Sequence, residues 1–398
     1  MGEWNLTNIG ELTELVTKGT TPSAKDGGFS ESGINYIKSD AVNYDGRIDR
    51  SKFVCISEDT HEKFKRSQLK IDAILFSMAG VFLGKTGLVA EEMLPANTNQ
   101  ALAIVRINKS KAQPKFIQYF LRQQSIIDFV NNMSGQSAQP NINFQEIKSI
   151  DIDLPPLKEQ KTIASVLSSL DDKIDLLHRQ NKTLETMAET LFRQWFVEEA
   201  QENWEEKPIS DIANFLNGLA WQRYPPQSDL EKLPVLKIKE LRDGISESSD
   251  WATSKVKPEY IVETGDVIFS WSASLMVHVW NGDRCVLNQH LFKVTSNKFP
   301  KWFYLMWCKH HLAEFISISS SHATTMGHIK RGDLDTAMVA IPSSQELIAM
   351  SEKMTPLLEK QIKISKQIKT LEQLRDTLLP KLMSGAVRIL VKGINNES

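Results

Sequence analysis

Downstream of residue 156, apolar side chains recur at Ile163, Leu167, Leu170, Ile174, Leu177, Leu184, Ala188 and Leu191, alternately four and three apart, with Asn181 the polar member. This spacing predicts one long helix with a seam to bury. A second seam runs through Met350, Met354, Leu357, Gln361, Ile364, Ile368, Leu371, Arg375 and Leu378. The two seams are expected to pack on each other. A helix of about 40 residues would be about 60 Å long, a rod able to separate two globular heads. Asn181, Gln361 and Arg375 read either as positions near solvent or as devices that set register; the first reading is preferred, because heptads commonly carry a few polar members. Pro356 removes a backbone donor and predicts a kink or a late start in the second helix.

Upstream of each seam the pattern changes to short β-type runs punctuated by Gly, Asn and Pro. These are INYIKS, AILFSM and LAIVRI in the first region, and VLKIKEL, VIFSW and LFKVT in the second. Helical stretches follow at 115–133 and 301–316. The chain is in fact written twice. TLETMAETLF, starting at Thr183, recurs as TLEQLRDTLL, starting at Thr370, a shift of 187 residues. The same shift carries Asn141 onto His328, Glu146 onto Asp333 and Glu159 onto Glu346. Nearer the start of each copy the shift drifts: Asn99-Gln100 matches Asn288-Gln289 at 189, and Trp4 matches Trp204 at 200. The expected fold is α+β: two mixed α/β domains separated by two long helices that pack as an antiparallel coiled coil, with a pseudo-twofold internal repeat. The expected boundaries are a first head at 1–155, a helical spacer at 156–200, a second head at 201–342 and a second helical spacer at 343–398.

One stretch invites a different reading. AGVFLGKT, from Ala79 to Thr86, approaches a phosphate-binding loop, and an NTP-dependent enzyme built on Gly84-Lys85-Thr86 is one alternative function. A phosphate loop must open a helix, whereas Thr86 leads into Gly87 and a β-type run. The second copy has WSASLMVHVWNG at the matching place, with no Gly-Lys-Thr. A glycine-rich turn between two strands is the expectation, variable between copies of one frame.

Composition narrows the classes further. The 398 residues are 41% hydrophobic and 24% charged, as in a soluble globular protein of two or three domains. The N-terminal MGEWNLTNIGELTEL is too polar for a signal peptide, so a cytoplasmic location is expected. Cys55, Cys285 and Cys308 stand far apart, which disfavours a zinc site or a disulfide framework. Adjacent His310 and His311 point to different helix faces and make a poor metal pair. The net charge is −2 and none of the four regions is strongly basic. Any nucleic-acid surface must therefore be local, or a partner must supply much of the phosphate binding.

LPPLKEQKTIASVLSSLDDKIDLLHRQNKTLETMAETLFRQWF and the C-terminal LLPKLMSGAVRI resemble the helical regions of the specificity subunits of type I restriction-modification enzymes, and SGQSAQPNINFQEIKSIDIDLPPL resembles the end of that family's first target recognition domain. The second copy departs from the pattern in SHATTMGHIKRGDL and IPSSQELI. The resemblance implies a non-catalytic subunit that binds double-stranded DNA and reads an asymmetric split target, one part per head. It also implies two methyltransferase subunits as partners, with S-adenosylmethionine bound there and no cofactor in this chain, and motor-nuclease subunits that can join. A protein-binding scaffold without DNA is the third alternative. No Asn/Asp-Pro-Pro-Tyr/Phe motif, cofactor-binding glycine loop or nucleophile set declares itself in the sequence.

Base reading calls for Arg or Lys toward guanine and Asn or Gln toward adenine, with hydroxyls and backbone amides on phosphates. In the first head the candidates are Thr20, Thr21, Lys38, Ser39, Ser77, Gly80, Lys85, Gln136, Ser137, Gln139 and Asn141. In the second they are Trp221, Gln222, Arg223, Lys237 and Lys239 (read as alternating on a strand), Trp271, Ser272, Ser321, His322, Thr324, Thr325 and His328. Lys63, Lys65, Arg66 and Lys70 form a basic cluster that suits a solvated face or a phosphate track. Asn99-Gln100 and Asn288-Gln289 recur in both heads, so structural hydrogen bonding is their expected role. Phe192, Trp195 and Phe196 are candidates either for docking the methyltransferase or for closing the junction with the second head.

Overall fold

In the run Ile74–Ser77 every residue is buried, which a strand achieves only when both faces of its sheet are covered. The computed structural model, which describes residues 4–80, 83–134, 141–321 and 327–389, shows how. Two compact units are present, Met1–Asp172 with Gln373–Ser398 and Lys173–Glu372.

The first unit contains β1 (Asn5–Asn8), β2 (Thr13–Lys18), β3 (Ile34–Ile37), β4 (Val54–Ile56), β5 (Ile74–Ser77), β6 (Thr86–Leu88), β7 (Ala96–Thr98), β8 (Leu102–Ile107) and β9 (Asp151–Leu154). A four-stranded antiparallel sheet has the order β2-β8-β5-β6. A three-stranded sheet has the order β4-β3-β7, and β1 pairs with β9. Alternate residues of β5 and β8 enter two different cores. Ile74, Phe76, Ala103 and Val105 face a core shared with Phe116, Ile163, Leu167, Leu382 and Met383. Leu75, Leu102 and Ile104 face one shared with Ile37, Val42 and Ala96 of the smaller sheet side.

The second unit repeats this plan with β10 (Glu205–Pro208), β11 (Asn214–Asn217), β12 (Lys232–Leu236), β13 (Trp251–Thr253), β14 (Ile261–Val262), β15 (Val267–Ser270), β16 (Met276–Val279), β17 (Cys285–Leu287), β18 (Leu291–Thr295) and β19 (Met338–Ile341). The sheets are β11-β18-β15-β16, β13-β12-β17-β14 and β10-β19. Val267, Phe269 and Phe292 face the helix-side core, while Ile268 and Leu291 face the core beneath the other sheet.

The helical covers are Leu157–Arg193 and Ser344–Met383, of 37 and 40 residues. The second begins well before Pro356, so no late start occurs. Their pairing is antiparallel. In the first unit Ile163 and Ala164 share a core with Leu382 and Met383, and Asp171 meets Arg375. In the second, Ile174 and Leu177 pack with Ile364 and Ile368, and Asn181 Nδ2 donates to Ser365 Oγ at 3.0 Å. Arg375 is not near solvent, as the seam pattern suggested, but 8% exposed. Its guanidinium is held by Asp171 at 3.2 Å and Asp376 at 2.8 Å, and Asp171 also binds Arg122 at 3.1 Å and accepts from the Tyr119 hydroxyl at 2.7 Å. Asn181 likewise bonds across the seam, the register-setting reading.

Two equivalences found separately in the sequence become one contact in each unit. The Trp4 indole donates to Glu159 at 3.4 Å, and the Trp204 indole donates to Glu346 at 3.2 Å. Segments following each long helix also correspond: Arg388 lies 4.0 Å from Glu159, and Gln201 donates to Glu346 at 2.8 Å. Residues 384–389 thus close the first unit beside Trp4, as residues 194–204 close the second.

Burial pushes the Asp171 pKa up, but Arg122, Tyr119 and Arg375 outweigh it and leave the carboxyl below its ordinary range. Its folded pKa is therefore depressed. The stabilisation is present above about pH 3.9, the ordinary aspartate value, and is lost as pH falls through the folded value. Asp171→Asn leaves the buried Arg122 guanidinium uncompensated and Arg375 with Asp376 alone, and should cost about 3 kcal/mol at pH 7, read by urea unfolding, with a smaller difference from the parent chain at pH 3.

Candidate nucleic-acid interface

The register of the first head brings its loops to one edge. Lys18 pairs with Ala103 and Ser77 with Leu102, so β2 and β5 end where β8 begins. β3 and β7 run parallel and end together at Ile37 and Thr98. Residues 19–21, 38–39, 77–80 and 83–85, chosen from the sequence for their chemistry, consequently share this edge with Asn99 and Gln100, which were expected to be structural. Asn141 joins them through a β-bridge to Ala79, with the Ile142 amide donating to Met78 O at 2.9 Å.

At the centre is a turn through Asn99 and Gln100. The Thr20 amide donates to Thr98 O at 2.9 Å and the Tyr36 hydroxyl to Thr20 O at 2.9 Å. Gly19 lies so close to this turn that a Cβ would sit 2.0 Å from Thr98 O. Thr21 Oγ1 is hydrogen-bonded to Gln100 Oε1. Arg66 reaches Thr20 Oγ1 at 3.3 Å, so one member of the basic cluster belongs to this edge, whereas Lys63 pairs with Asp26. Lys38 lies 6.0 Å from the Phe29 ring centre, and Ser39 opens a short 3-10 turn. Asn99 Oδ1 is buried without a hydrogen-bond partner among the described residues, so the structural part of Asn99 is played by its backbone.

The Gly-Lys-Thr stretch is a hairpin. The Ser77 amide donates to Lys85 O at 2.8 Å and the Gly84 amide to Ser77 O at 3.0 Å. Thr86 is fully buried in β6 opposite Phe76, and no helix follows. The geometry of a phosphate loop is absent. The ammonium of Lys85 sits 5.3 Å from the exposed Tyr44 ring, and burial and nearby Lys52 push its pKa down. Gly80, with φ +95°, is exposed.

The second head repeats the edge. β12 and β17 end together at Leu236 and Leu287, and Asn217, Ser270 and Leu291 lie at matching ends of the large sheet. Gly218 crosses the turn through Asn288 and Gln289, where a Cβ would sit 2.3 Å from Asn288 O. The Leu219 amide donates to Leu287 O at 2.9 Å, as Thr20 does to Thr98. His328 bridges to Ser272 as Asn141 does to Ala79.

The side chains on this second edge differ from those on the first. The Trp271 indole donates to Asn217 Oδ1 at 3.1 Å and stacks on Phe292 with centroids 5.7 Å apart, while His328 meets its ring edge-on. His290 Nδ1 lies 3.2 Å from Ser272 Oγ, and His290 Nε2 lies 3.3 Å from Gln289 Nε2. Trp221 packs against the small core of Val235 and Val286, leaving Gln222 and Arg223 exposed. Asn217 and His290 were missed in the sequence. The available signal was the residue after the shared Asn-Gln, which is Ala101 in one copy and His290 in the other.

Two expectations change. Lys237 and Lys239 do not alternate on a strand: β12 ends at Leu236, Lys237 precedes a short helix, Ile238–Asp243, and Lys239 lies within it. Helical spacing lets Ile238 and Leu241 pack on the same core. Lys237 pairs with Asp250 at 2.5 Å and Lys239 donates to Ser248 Oγ at 2.9 Å. Phe192 and Phe196 are 4% and 6% exposed, packed on Trp307 and Phe303, so they close the second unit's core and offer no docking surface. Trp195 is partly buried there, with Lys353 Nζ 5.8 Å from its ring centre. Gln136, Ser137, Gln139, His322, Thr324 and Thr325, together with the side chain of Ser321, lie outside the described residues.

With two copies of one loop edge established, comparison with known proteins defines the class. The family model for the type I restriction modification DNA specificity domain matches residues 1–186 and again 201–373, and the chain belongs to this family. It is similar to the MjaIX specificity subunit of a type I restriction enzyme from Methanocaldococcus jannaschii, 26% identical over 97% of this chain and 94% of that protein. It is also similar to the MjaVIII specificity subunit of the same organism, 23% identical over 99% and 94%. Its fold resembles the crystal structure of a type I restriction-modification S subunit from M. genitalium, with a TM-score of 0.59 at 15% identity over 96% of each chain.

Because Gly218 touches the backbone of the Asn-Gln turn, Gly218→Ala must push the two segments apart. Overpacking of this kind costs about 1–3 kcal/mol. A urea titration should show that loss, and Gly19→Ala should show the like in the first unit.

Proposed function

We propose that this chain is the sequence-reading subunit of a type I restriction-modification system, in which each head reads one half of an asymmetric bipartite DNA target. The observation that carries this reading is the duplicated edge. One frame, with a glycine crossing an Asn-Gln turn, carries Ala101 and Asn141 beside a buried Met78 in the first head and Trp271, His290 and His328 in the second. Equal scaffolds with unequal side chains suit two related but different half-sites.

The chemistry on each edge fits base reading. Gln100, Thr21, Lys38 and Lys85 on the first, and Gln289, His290, Trp271 and Arg223 on the second, supply donors, acceptors and stacking faces of the sort that contact base edges and phosphates. The chain's net charge of −2 is low for a protein that neutralises many phosphates alone. Two methyltransferase subunits, holding S-adenosylmethionine, would complete the clamp and perform adenine methylation, and motor-nuclease subunits would add cleavage. In this reading the chain itself performs no catalysis and holds no cofactor.

Single-molecule sequencing of genomic DNA for N6-methyladenine, in a host expressing this chain with its methyltransferase partner, should reveal a split asymmetric motif that is missing when the chain is omitted. Exchanging residues 1–155 for those of another specificity subunit should alter one half of the motif only. A motif that persists without the chain, or both halves changing with the exchange, contradicts the proposal.

A further inference from the structure

The Asn-Gln turn is common to both heads, yet its glutamine is engaged at opposite ends. In the first head the carbonyl oxygen of Gln100 is occupied by the hydroxyl of Thr21. In the second, the amide nitrogen of Gln289 lies 3.3 Å from Nε2 of His290, whose Nδ1 lies 3.2 Å from the Ser272 hydroxyl. With Gln289 donating, His290 Nε2 accepts and its Nδ1–H donates to Ser272, as one neutral tautomer allows.

This difference decides what each glutamine has left to offer. A side-chain amide has two N–H donors and one carbonyl acceptor. Gln100, with one lone pair of its oxygen taken, keeps both N–H donors free. Gln289, with one N–H taken, keeps both lone pairs of its oxygen and a single N–H. Gln100 is exposed and Gln289 half-buried, each at the loop edge of its head. In the DNA major groove, donors read guanine N7 and O6 or thymine O4, while an acceptor reads the amino groups of adenine and cytosine.

We propose that the shared glutamine is a specificity-determining residue whose polarity is set by its neighbour. Thr21 biases Gln100 toward donating to a base that presents an acceptor, and His290 biases Gln289 toward accepting from an amino-bearing base. Thr21 and His290 are then positioning residues. Repetition of the glutamine in both heads is compatible with different half-sites, because the chemistry presented differs even though the residue does not. The inference rests on the proposed DNA-reading function.

The test is a crossed rescue in the full chain expressed with its methyltransferase, read as the methylated genomic motif. Gln100→Ala should lose base discrimination at one position of the half read by residues 1–155, and Gln289→Ala at one position of the other half. Discrimination should return with Gln100→Lys, which carries donors only, and with Gln289→Glu, which carries acceptors only. Gln100→Glu and Gln289→Lys should not restore it. Thr21→Val and His290→Ala should each relax the same position as the alanine variant of their own glutamine.

Unchanged motifs in both alanine variants overturn the proposal. So does rescue of both heads by the same substituent, or rescue by neither. Loss of both halves in either alanine variant also overturns it, because that side chain would then be holding the fold together rather than reading one base. If the parent chain directs no motif at all, it is the DNA-reading function that fails.

Discussion

A four-stranded sheet with apolar residues on both faces cannot leave either face in water, and each unit of this protein is organised around that requirement. Fully burying a side chain such as Ile, Leu or Phe is worth about 1.5–3 kcal/mol, and β5 alone contributes Ile74 and Phe76 to one face and Leu75 to the other. A smaller sheet side covers one face. The other is covered by helix: residues such as Ile163, Leu167, Leu382 and Met383 in the first unit, and Phe192, Met354 and Leu358 in the second. The first unit therefore draws on both ends of the chain, and Trp4, Glu159 and Arg388 meet where those ends close.

Apolar cover is non-directional, and charge supplies the orientation. Arg122, on the segment after a head helix, reaches Asp171 of the first long helix, which also holds Arg375 of the second. Lys309 plays the corresponding part in the second unit, pairing with Glu185 at 2.7 Å and Glu189 at 3.3 Å. Once both sheet faces are committed to packing, the loop edge is the part of each head free to vary. The Asn-Gln turn and its crossing glycine fix the backbone there, while the surrounding side chains differ between heads. That division of labour is what a reader of two half-sites requires.

Much of this was legible because the periodicities are strong. Heptad spacing revealed the helices, and the 187-residue shift revealed the duplication. The short apolar runs marked strands, and burial of both faces of β5 and β15 emerged only in the structure. Other features depended on partners distant in sequence. Arg375 looks like a solvent position in a seam until Asp171, 204 residues away, is placed beside it. The aromatic rings of Phe192 and Phe196 could have faced either way, and the cluster of Phe303 and Trp307 that covers them comes from another element. Leu236 and Ile238 alternate like a strand, but the core accepts Ile238 and Leu241 at helical spacing. The loop candidates were chosen by residue chemistry, and strand register brought the described ones to a common edge. His290 escaped notice because its importance lies in Gln289 and Ser272, neither of which marks it out in the sequence.

The central claim is that each head reads DNA through its Asn-Gln edge. The most direct measurement is a structure of this chain, with its methyltransferase partner, on DNA carrying the methylated motif. Base-edge contacts from residues 19–21, 77–85 and 99–100 in one half-site, and from 217–223, 271–273 and 288–290 in the other, are the predicted result. Base contacts made from a different face of either head, with these edges in solvent, would contradict the account.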